Sequence, residues 1–278
     1  MSQRKVALVT GASSGIGNAI ARSLHRNGVI VYAGARRVSR MNDLDDLGIT
    51  TLPLDVTDAA SVEHVVDRIV SETGRVDILV NNAGYGLMGA LEDVPLEQAQ
   101  DQFDVNLFGA ARLIQSVLPM MRQQHAGRII NITSVDGKIA QPLASWYVAS
   151  KFALEGLSDA LRLELEPLDI HTVVIEPGAI RSEWADIATK HLQETSAKGP
   201  YQPTADRAVA ILAAVKQFSS KPQVIARLAD RAALSRRPKT RYHAGSGSQL
   251  LYLKPFMSDK MIDRMWRVVG EAAQRITH

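Results

Sequence analysis

The chain has 278 residues, of which 46% are hydrophobic and none is cysteine; this allows one α/β domain with a sizeable core and excludes disulfide frameworks, thiolate metal sites and Cys nucleophiles. The formal net charge of +3 is too small to argue for nucleic acid, but it is unevenly placed: residues 221–278 hold twelve basic and four acidic side chains, the first 220 twenty basic and twenty-five acidic. A polar start over 1–5 leads into an apolar run far too short to span a bilayer, so a cytoplasmic protein without leader or membrane anchor is expected.

In chain order, apolar runs rich in β-branched residues at 6–10, 29–35, 50–54, 77–81, 128–133 and 171–176 alternate with helical spacing at 16–27, 59–73, 96–124, 144–166 and 206–216. Strands buried on both faces require such continuous apolar runs. The alternation therefore predicts one Rossmann-type α/β domain over 1–278, a doubly wound parallel sheet with helices on both faces. Asp58 is placed to cap the helix at 59, and Gly28 and Gly74 to close helices in the left-handed conformation. Segments 200–203 and 245–248 read as joints within that domain, because neither separates independent cores.

The first strand runs into Thr10-Gly11-Ala12-Ser13-Ser14-Gly15-Ile16-Gly17 and then an apolar helix. The glycines permit a tight turn and bring the backbone, with Ser13, Ser14 and Ile16, close to a pyrophosphate, while the helix N-terminus offers free N–H groups and positive dipole charge. The second strand ends at Arg36-Arg37, with no acid until Asp43. A carboxylate there would take the ribose 2′-hydroxyl of NAD, whereas guanidinium groups suit the 2′-phosphate; NADP(H) is favoured over NAD(H). The plainer reading of one of the two arginines is a solvated strand end. Asp55, with Val56 beside it, is a candidate for the adenine amino group and equally for a cap or turn.

Tyr147-Val148-Ala149-Ser150-Lys151 puts a phenol and an ammonium one turn apart on one helix face. A phenol is a poor acid–base group at neutral pH, and a nearby ammonium lowers its pKa. Ser134 ends the fifth predicted strand, at the C-terminal sheet edge where parallel sheets bind ligands. Asn82 follows a strand and Asn106 lies in the long helical segment; both suit backbone bracing or a place in the site.

Together Thr10–Gly17, Asn81-Asn82-Ala83-Gly84, Val105-Asn106-Leu107, Ser134, Tyr147/Lys151 and Pro177-Gly178 resemble the short-chain dehydrogenase/reductase family over residues 5–182. The resemblance implies catalytic positions at Asn106, Ser134, Tyr147 and Lys151, the 13-residue spacing to Tyr147 selecting Ser134 over Thr133. It implies that Ser134 and Tyr147 hydrogen-bond a substrate carbonyl that receives hydride from NADPH. Lys151 would hold the nicotinamide ribose and activate Tyr147, and Asn106 would position a water linking Lys151 to solvent. Asn82, Ala83 and Gly84 would line the cofactor, while Pro177, Gly178, Ile180 and Ser182 would shape the nicotinamide pocket. A homo-oligomer paired through 96–124 and 144–166 is a further implication.

Residues 181–216 stand where that family has its substrate lid, with Trp184, Ile187 and Leu192 as the expected apolar inner side. Tyr85, Leu87, Met88, Val135, Leu143 and Trp146 suggest a bulky apolar ketone or secondary alcohol, steroid-, retinoid- or lipid-like. Lys138 could meet an anionic substrate group or face solvent. The extension 245–278 is basic and apolar, from Leu250 to Trp266, and resembles the longer hydroxysteroid and retinol dehydrogenases. It could cover the substrate mouth, pack on a second subunit, make peripheral contact with a membrane, or be buried in the chain's own fold. The alternative to an enzyme is an NADP-binding sensor with little turnover. No metal site is expected, since the seven histidines form no ligand-spaced cluster.

Overall fold

The computed structural model describes residues 4–277; Met1–Gln3 of the polar start, and His278, lie outside them. Seven strands, β1 (Val6–Thr10), β2 (Ile30–Ala35), β3 (Thr50–Pro53), β4 (Ile78–Asn81), β5 (Gly127–Ile132), β6 (Ile170–Pro177) and β7 (Arg241–Ala244), form one parallel sheet in the order β3-β2-β1-β4-β5-β6-β7. The chain winds outward from β1 to β3, then returns to place β4 on the other side of β1. This reversal opens a crevice beyond the C-terminal ends of β1 and β4.

The helices are α1 (Gly15–Arg26), the single turn α2 (Asn42–Asp45), α3 (Ala59–Thr73), α4 (Leu96–Phe103), α5 (Gly109–Gln123) and α6 (Ser145–Leu165). After β6 come α7 (Trp184–Thr195), α8 (Gln202–Phe218), α9 (Gln223–Leu234), the single turn α10 (Leu250–Leu253) and α11 (Asp259–Thr277). Successive side chains of β1 point to opposite faces of the sheet and found two cores. Ala7 and Val9 pack with Ile20 and Leu24 of α1 and Ile225 and Ala229 of α9. Val6 and Leu8 pack with Val62 and Ile69 of α3, Leu113 and Val117 of α5, and Leu161 of α6. A third cluster, with Met88, Leu143, Tyr147, Leu192 and Leu212, caps the C-terminal edge of the sheet.

Local signals behave as their chemistry requires. Asp58 accepts from the Ala60 N–H at 2.9 Å to cap α3, and Gly28 and Gly74 take φ of +81° and +70° after their helices. The helix expected over 96–124 is instead divided: Asp104–Phe108 form a π-turn between α4 and α5, with the Gly109 N–H bonded to the Asp104 carbonyl. The expected helix at 206–216 begins at Gln202, so the segment 200–203 supplies its first turn. β7, α7 and α9 are additions to the elements read from the sequence. No helix among the described residues is long and apolar enough to cross a membrane.

The C-terminal extension folds back onto α8 and the loop before α6. Ile262 of α11 is buried, α11 packs along α8, and Trp266 Nε1 donates to the Ala140 carbonyl at 2.7 Å. Burial within the chain's own fold describes only part of it, because Tyr252, Leu253 and Met261 are exposed and Phe256 is 82% exposed.

Candidate active site

The glycine turn closes the crevice at the sheet reversal. Gly11 and Gly15 adopt φ of +65° and +54°, conformations open to glycine. Thr10 Oγ1 accepts from the backbone N–H groups of Asn82 and Ala83, both at 3.0 Å, while Asn82 Nδ2 donates to the Thr10 carbonyl at 2.9 Å. Asn82 thus braces the ends of β1 and β4 across the reversal. A Cβ on Gly17 would strike the Gly11 carbonyl and the Asn82 amide, so α1 approaches the turn as only glycine allows. Ser14 caps α1 by backbone alone, and the first turn carries no acid. Ser13, Ser14, Gly15 and Ile16 are half-buried around an N-terminus whose N–H groups suit a phosphate. The cradle fits a dinucleotide.

Beyond β2, Arg36 is exposed, with no ion pair among the described residues, and its charge reaches Asp55 and Tyr85. Arg37 lies 3.6 Å from Glu183 Oε2, while Arg40, which the sequence reading passed over, donates to both Glu183 oxygens at 2.9 Å. Arg40, and then Arg37, hold the Glu183 carboxyl below its ordinary pKa. The signal for Arg40 was its place one 3₁₀ turn after the arginine pair. Asp55 adopts the turn role: its Oδ1 accepts from Thr57 N–H at 3.0 Å and Oγ1 at 2.7 Å. Buried Val56 offers its carbonyl to Arg112 at 3.1 Å.

Ser134 leaves β5 as the cap of a 3₁₀ turn over Val135–Gly137, its Oγ accepting from the Asp136 N–H at 3.1 Å. Tyr147 and Lys151, both buried, rise beside it from α6. Lys151 Nζ donates to the Ile132 carbonyl at 3.0 Å and stands 5.9 Å from the Tyr147 ring centroid. Asn106, in the π-turn, accepts from Tyr85 N–H at 3.1 Å and donates to Tyr85 O and Ser150 Oγ, both at 3.0 Å. A Cβ on Gly84 would meet Asn106 Oδ1 at 3.0 Å and Lys151 Nζ at 3.7 Å, so NNAG, the π-turn and α6 converge. At the end of β6, Gly178 N–H donates to Ala244 O at 2.9 Å, Ile180 bridges to Ser220, and Ser182 Oγ accepts from Trp184 N–H at 3.3 Å. Ser182 also faces the glycine turn, within 3.3 Å of where a Cβ on Gly15 would lie. Trp184 brings its indole to 5.4 Å from the Tyr147 ring.

Burial dominates the ionisation of this group. It raises the Tyr147 pKa, Asp136 adds to that rise, and hydrogen bonding from Ser134 opposes it. The net shift of Tyr147 is thus upward, opposite to the depression expected from Lys151, whose ammonium donates to the Ile132 carbonyl. Burial lowers Lys151 to about 8 against the attraction of Asp136 and Glu155.

Lys138 is held by an ion pair, its Nζ 3.0 Å from Glu155 Oε2. Thr133, next to Ser134, is held by its hydroxyl bond to Glu155 Oε1 at 2.6 Å. Arg241 of β7 completes this group, reaching Glu155 at 3.0 Å, Asp159 at 2.7 Å and Glu176 at 3.5 Å. Met88, Pro142, Arg207, Leu212, Asp263 and Trp266 help to line a cavity of about 210 Å³ between α8 and α11, and Met88 and Leu212 also pack in the cluster that holds Tyr147. Leu192 is buried as expected of an inner lid face, whereas Ile187 is 40% exposed, and Trp146 turns to an edge contact with Phe103.

Comparison with known proteins agrees with this arrangement. The short chain dehydrogenase family model matches residues 5–193. The chain is 34% identical over 270 residues to the 3-ketodihydrosphingosine reductase of Bacteroides thetaiotaomicron, covering 96% of this chain and 98% of that one. A short-chain dehydrogenase structure from Streptomyces avermitilis superposes with a TM-score of 0.81 at 30% identity, covering 98% and 99% of the two chains. An alcohol dehydrogenase from Thermococcus sibiricus, solved with 5-hydroxy-NADP, has a TM-score of 0.71 at 27% identity over 89% of this chain and 98% of its own. A Burkholderia phymatum short chain dehydrogenase/reductase, solved with NAD, has a TM-score of 0.78 at 26% identity over 91% and 92%. Structures solved with either cofactor type thus share this fold. The matched span runs from β1 through the serine, tyrosine and lysine into α7, and on that ground the chain belongs to the short-chain dehydrogenase/reductase family of oxidoreductases.

Proposed function

We propose that the chain transfers hydride between NADP(H) and a ketone or secondary alcohol with a bulky apolar body. The observation that carries this reading is the buried Tyr147 phenol beside Ser134, with Lys151 one turn on, at the edge of the crevice formed by the sheet reversal. When bound, NADPH supplies the hydride. Gly11 to Gly17, Asn82, Ala83, Gly84, Pro177, Gly178, Ile180 and Ser182 would hold the dinucleotide, with Arg36 and Arg37 on its 2′-phosphate and Asp55 and Val56 beside the adenine. In reduction, Ser134 and Tyr147 hydrogen-bond the carbonyl oxygen, and as negative charge grows there the phenol gives up its proton. The raised Tyr147 pKa suits that donor role by keeping the phenol protonated at neutral pH. Lys151 stabilises the phenolate left behind and holds the nicotinamide ribose, while Asn106 fixes the NNAG turn against α6.

The segment 181–216 acts as the lid, and the extension over 245–278 brings α11 to the far wall of the cavity. Met88, Ile211, Leu212 and Trp266 offer an apolar body its contact surface. The name of the Bacteroides relative, a 3-ketodihydrosphingosine reductase, is consistent with a lipid-like ketone. Exposed Leu96, Phe108, Phe152 and Leu163 on the paired-helix side support a homo-oligomer, checked by light scattering. A sensor without turnover would have no need of the complete Asn106, Ser134, Tyr147 and Lys151 set.

The test is Tyr147→Phe. NADPH oxidation with bulky ketones should fall by about 10²–10⁴-fold while NADPH binding, read by fluorescence, is kept. Undiminished turnover removes Tyr147 from the chemistry and the reading with it.

A further inference from the structure

Ser134 has a second polar neighbour to which the hydride transfer gives no part. Asp136 is buried at 9% exposure in the 3₁₀ turn after β5, and its Oδ2 lies 3.2 Å from Ser134 Oγ, the atom to which its own backbone N–H donates at 3.1 Å. Hydrogen bonding from Ser134 also draws the Tyr147 pKa down against burial. Ser134 is thus coupled to a carboxyl and to a phenol.

A serine hydroxyl has one proton to give and two lone pairs to accept with. The Asp136 N–H occupies one lone pair. What remains depends on the carboxyl. An ionised carboxylate only accepts, and takes the Ser134 proton in a charge-assisted bond. A neutral carboxylic acid donates to the second lone pair and leaves the Ser134 proton free for another oxygen in the site.

The surroundings hold both forms within reach of neutral pH. From α6, Tyr147 and Lys151 face Asp136, and Glu155 lies against the same turn at Gly137. Lys138 from the loop and Glu176 from β6 are engaged with the group around Glu155 and Arg241. Burial pushes the Asp136 carboxyl up to about 7, against the Ser134 hydrogen bond and the Lys151 charge.

We propose that Asp136 is a positioning residue that aims the Ser134 hydroxyl: as the neutral acid it turns that proton toward the substrate oxygen and permits carbonyl reduction, and as the carboxylate it withdraws it. The inference rests on the reading of Ser134 as a donor to the substrate oxygen. Asp136 keeps its own proton throughout, and the proton delivered to product still comes from Tyr147.

The test compares the pH dependence of kcat/KM for ketone reduction by NADPH in the wild type, Asp136→Asn and Tyr147→Phe. The wild type should lose about tenfold per pH unit above an inflection near neutrality. The carboxamide introduced by D136N cannot ionise and donates to Ser134 at every pH, so this variant should lose that inflection and keep its rate into alkaline solution. Removing a negative charge beside Tyr147 favours its phenolate, so an inflection belonging to Tyr147 would move to lower pH in D136N. That result, an inflection unchanged in D136N, or a wild-type profile flat through neutrality overturns the proposal. NADPH binding by fluorescence checks that each variant is folded; if D136N does not bind, Asp136→Ser, whose hydroxyl also cannot become an anion here, must show the same loss of the inflection. A dead Tyr147→Phe alongside an unchanged D136N profile removes this proposal alone, whereas an active Tyr147→Phe removes the underlying function.

Discussion

Trp266 of α11 donates its indole N–H to the carbonyl of Ala140, 126 residues earlier, in the loop that joins Ser134 to Tyr147. The same side chain forms a wall of the cavity with Met88 and Leu212. Trp266→Ala should raise KM for a bulky apolar ketone by about ten- to a hundredfold, the size expected for lost burial of a large apolar side chain, and leave a small ketone within a few-fold of wild type. Initial-rate kinetics on the two ketones checks this. Equal effects on both would make Trp266 a structural tie only.

Arg241→Ala should destabilise the protein by about 3–5 kcal/mol, because it strips the cation from buried carboxylates. Glu155 and Glu176 are both buried, and Arg241 reaches both as well as Asp159. Arg241→Lys should recover only part, since an ammonium lacks the planar fork that spans several carboxylates. The midpoint of urea unfolding reads the difference. A loss below about 1 kcal/mol would give the group the weight of a solvated surface pair.

Cofactor preference turns on the end of β2. Arg36→Ala should lower kcat/KM with NADPH by about ten- to a hundredfold, in line with charge-assisted hydrogen bonds of about 1.5–3 kcal/mol, and change NADH little. Glu183→Gln should weaken the hold on Arg37 and Arg40, whose ion pairs it now supplies, and tighten NADPH binding a few-fold. Parallel titrations with the two cofactors decide it; equal losses in Arg36→Ala would take the 2′-phosphate away from that residue.

Stability should carry a pH signature from Glu176. Burial, then the Glu155 charge, raises its pKa from 4.5 to about 7. A carboxyl whose folded pKa lies above its unfolded value stabilises the fold fully below about 4.5 and loses that contribution as pH rises through about 7. Asp136 titrates in the same direction and window. Scanning calorimetry of Glu176→Gln should therefore show a shallower decline in Tm between those limits, without abolishing it. A decline as steep as in the wild type would mean that Glu176 titrates as it does in the unfolded chain.

β1, β2, β4, β5 and β6 were legible because they lie inside the sheet under helices and so read as largely apolar runs, while the edge strand β3 showed only the β-branched Thr50 and Thr51 beside Leu52. Arg241-Tyr242-His243-Ala244 gives no such run: β7 is a half-buried edge strand whose polar side chains face Glu155, Asp159 and Glu176. α9 shows to the sheet a face made mostly of alanine, a weak apolar signal. The π-turn was hidden because a single extra residue per turn leaves the apolar pattern of 96–124 nearly intact. In the site, the i, i+4 spacing put Tyr147 and Lys151 on one helix face, and the family resemblance joined Ser134 to them. Spacing could not place Glu183 on Arg40, 143 residues away, or Arg241 on Glu155, 86 residues away, since surface cations and acids carry no mark of their partners. Nor could it foresee that burial and Asp136 raise the Tyr147 phenol.

The partners of Glu176 also bear on how the sheet is closed. Among the described residues, the side chains within ion-pair distance of it, Arg241 and His243, belong to β7, the last of the seven strands in chain order. Until β7 is in place, Glu176 at the end of β6 has neither of these partners. The sheet edge behind α6 is therefore closed by the basic C-terminal segment, whose charge serves the fold as a latch on that edge.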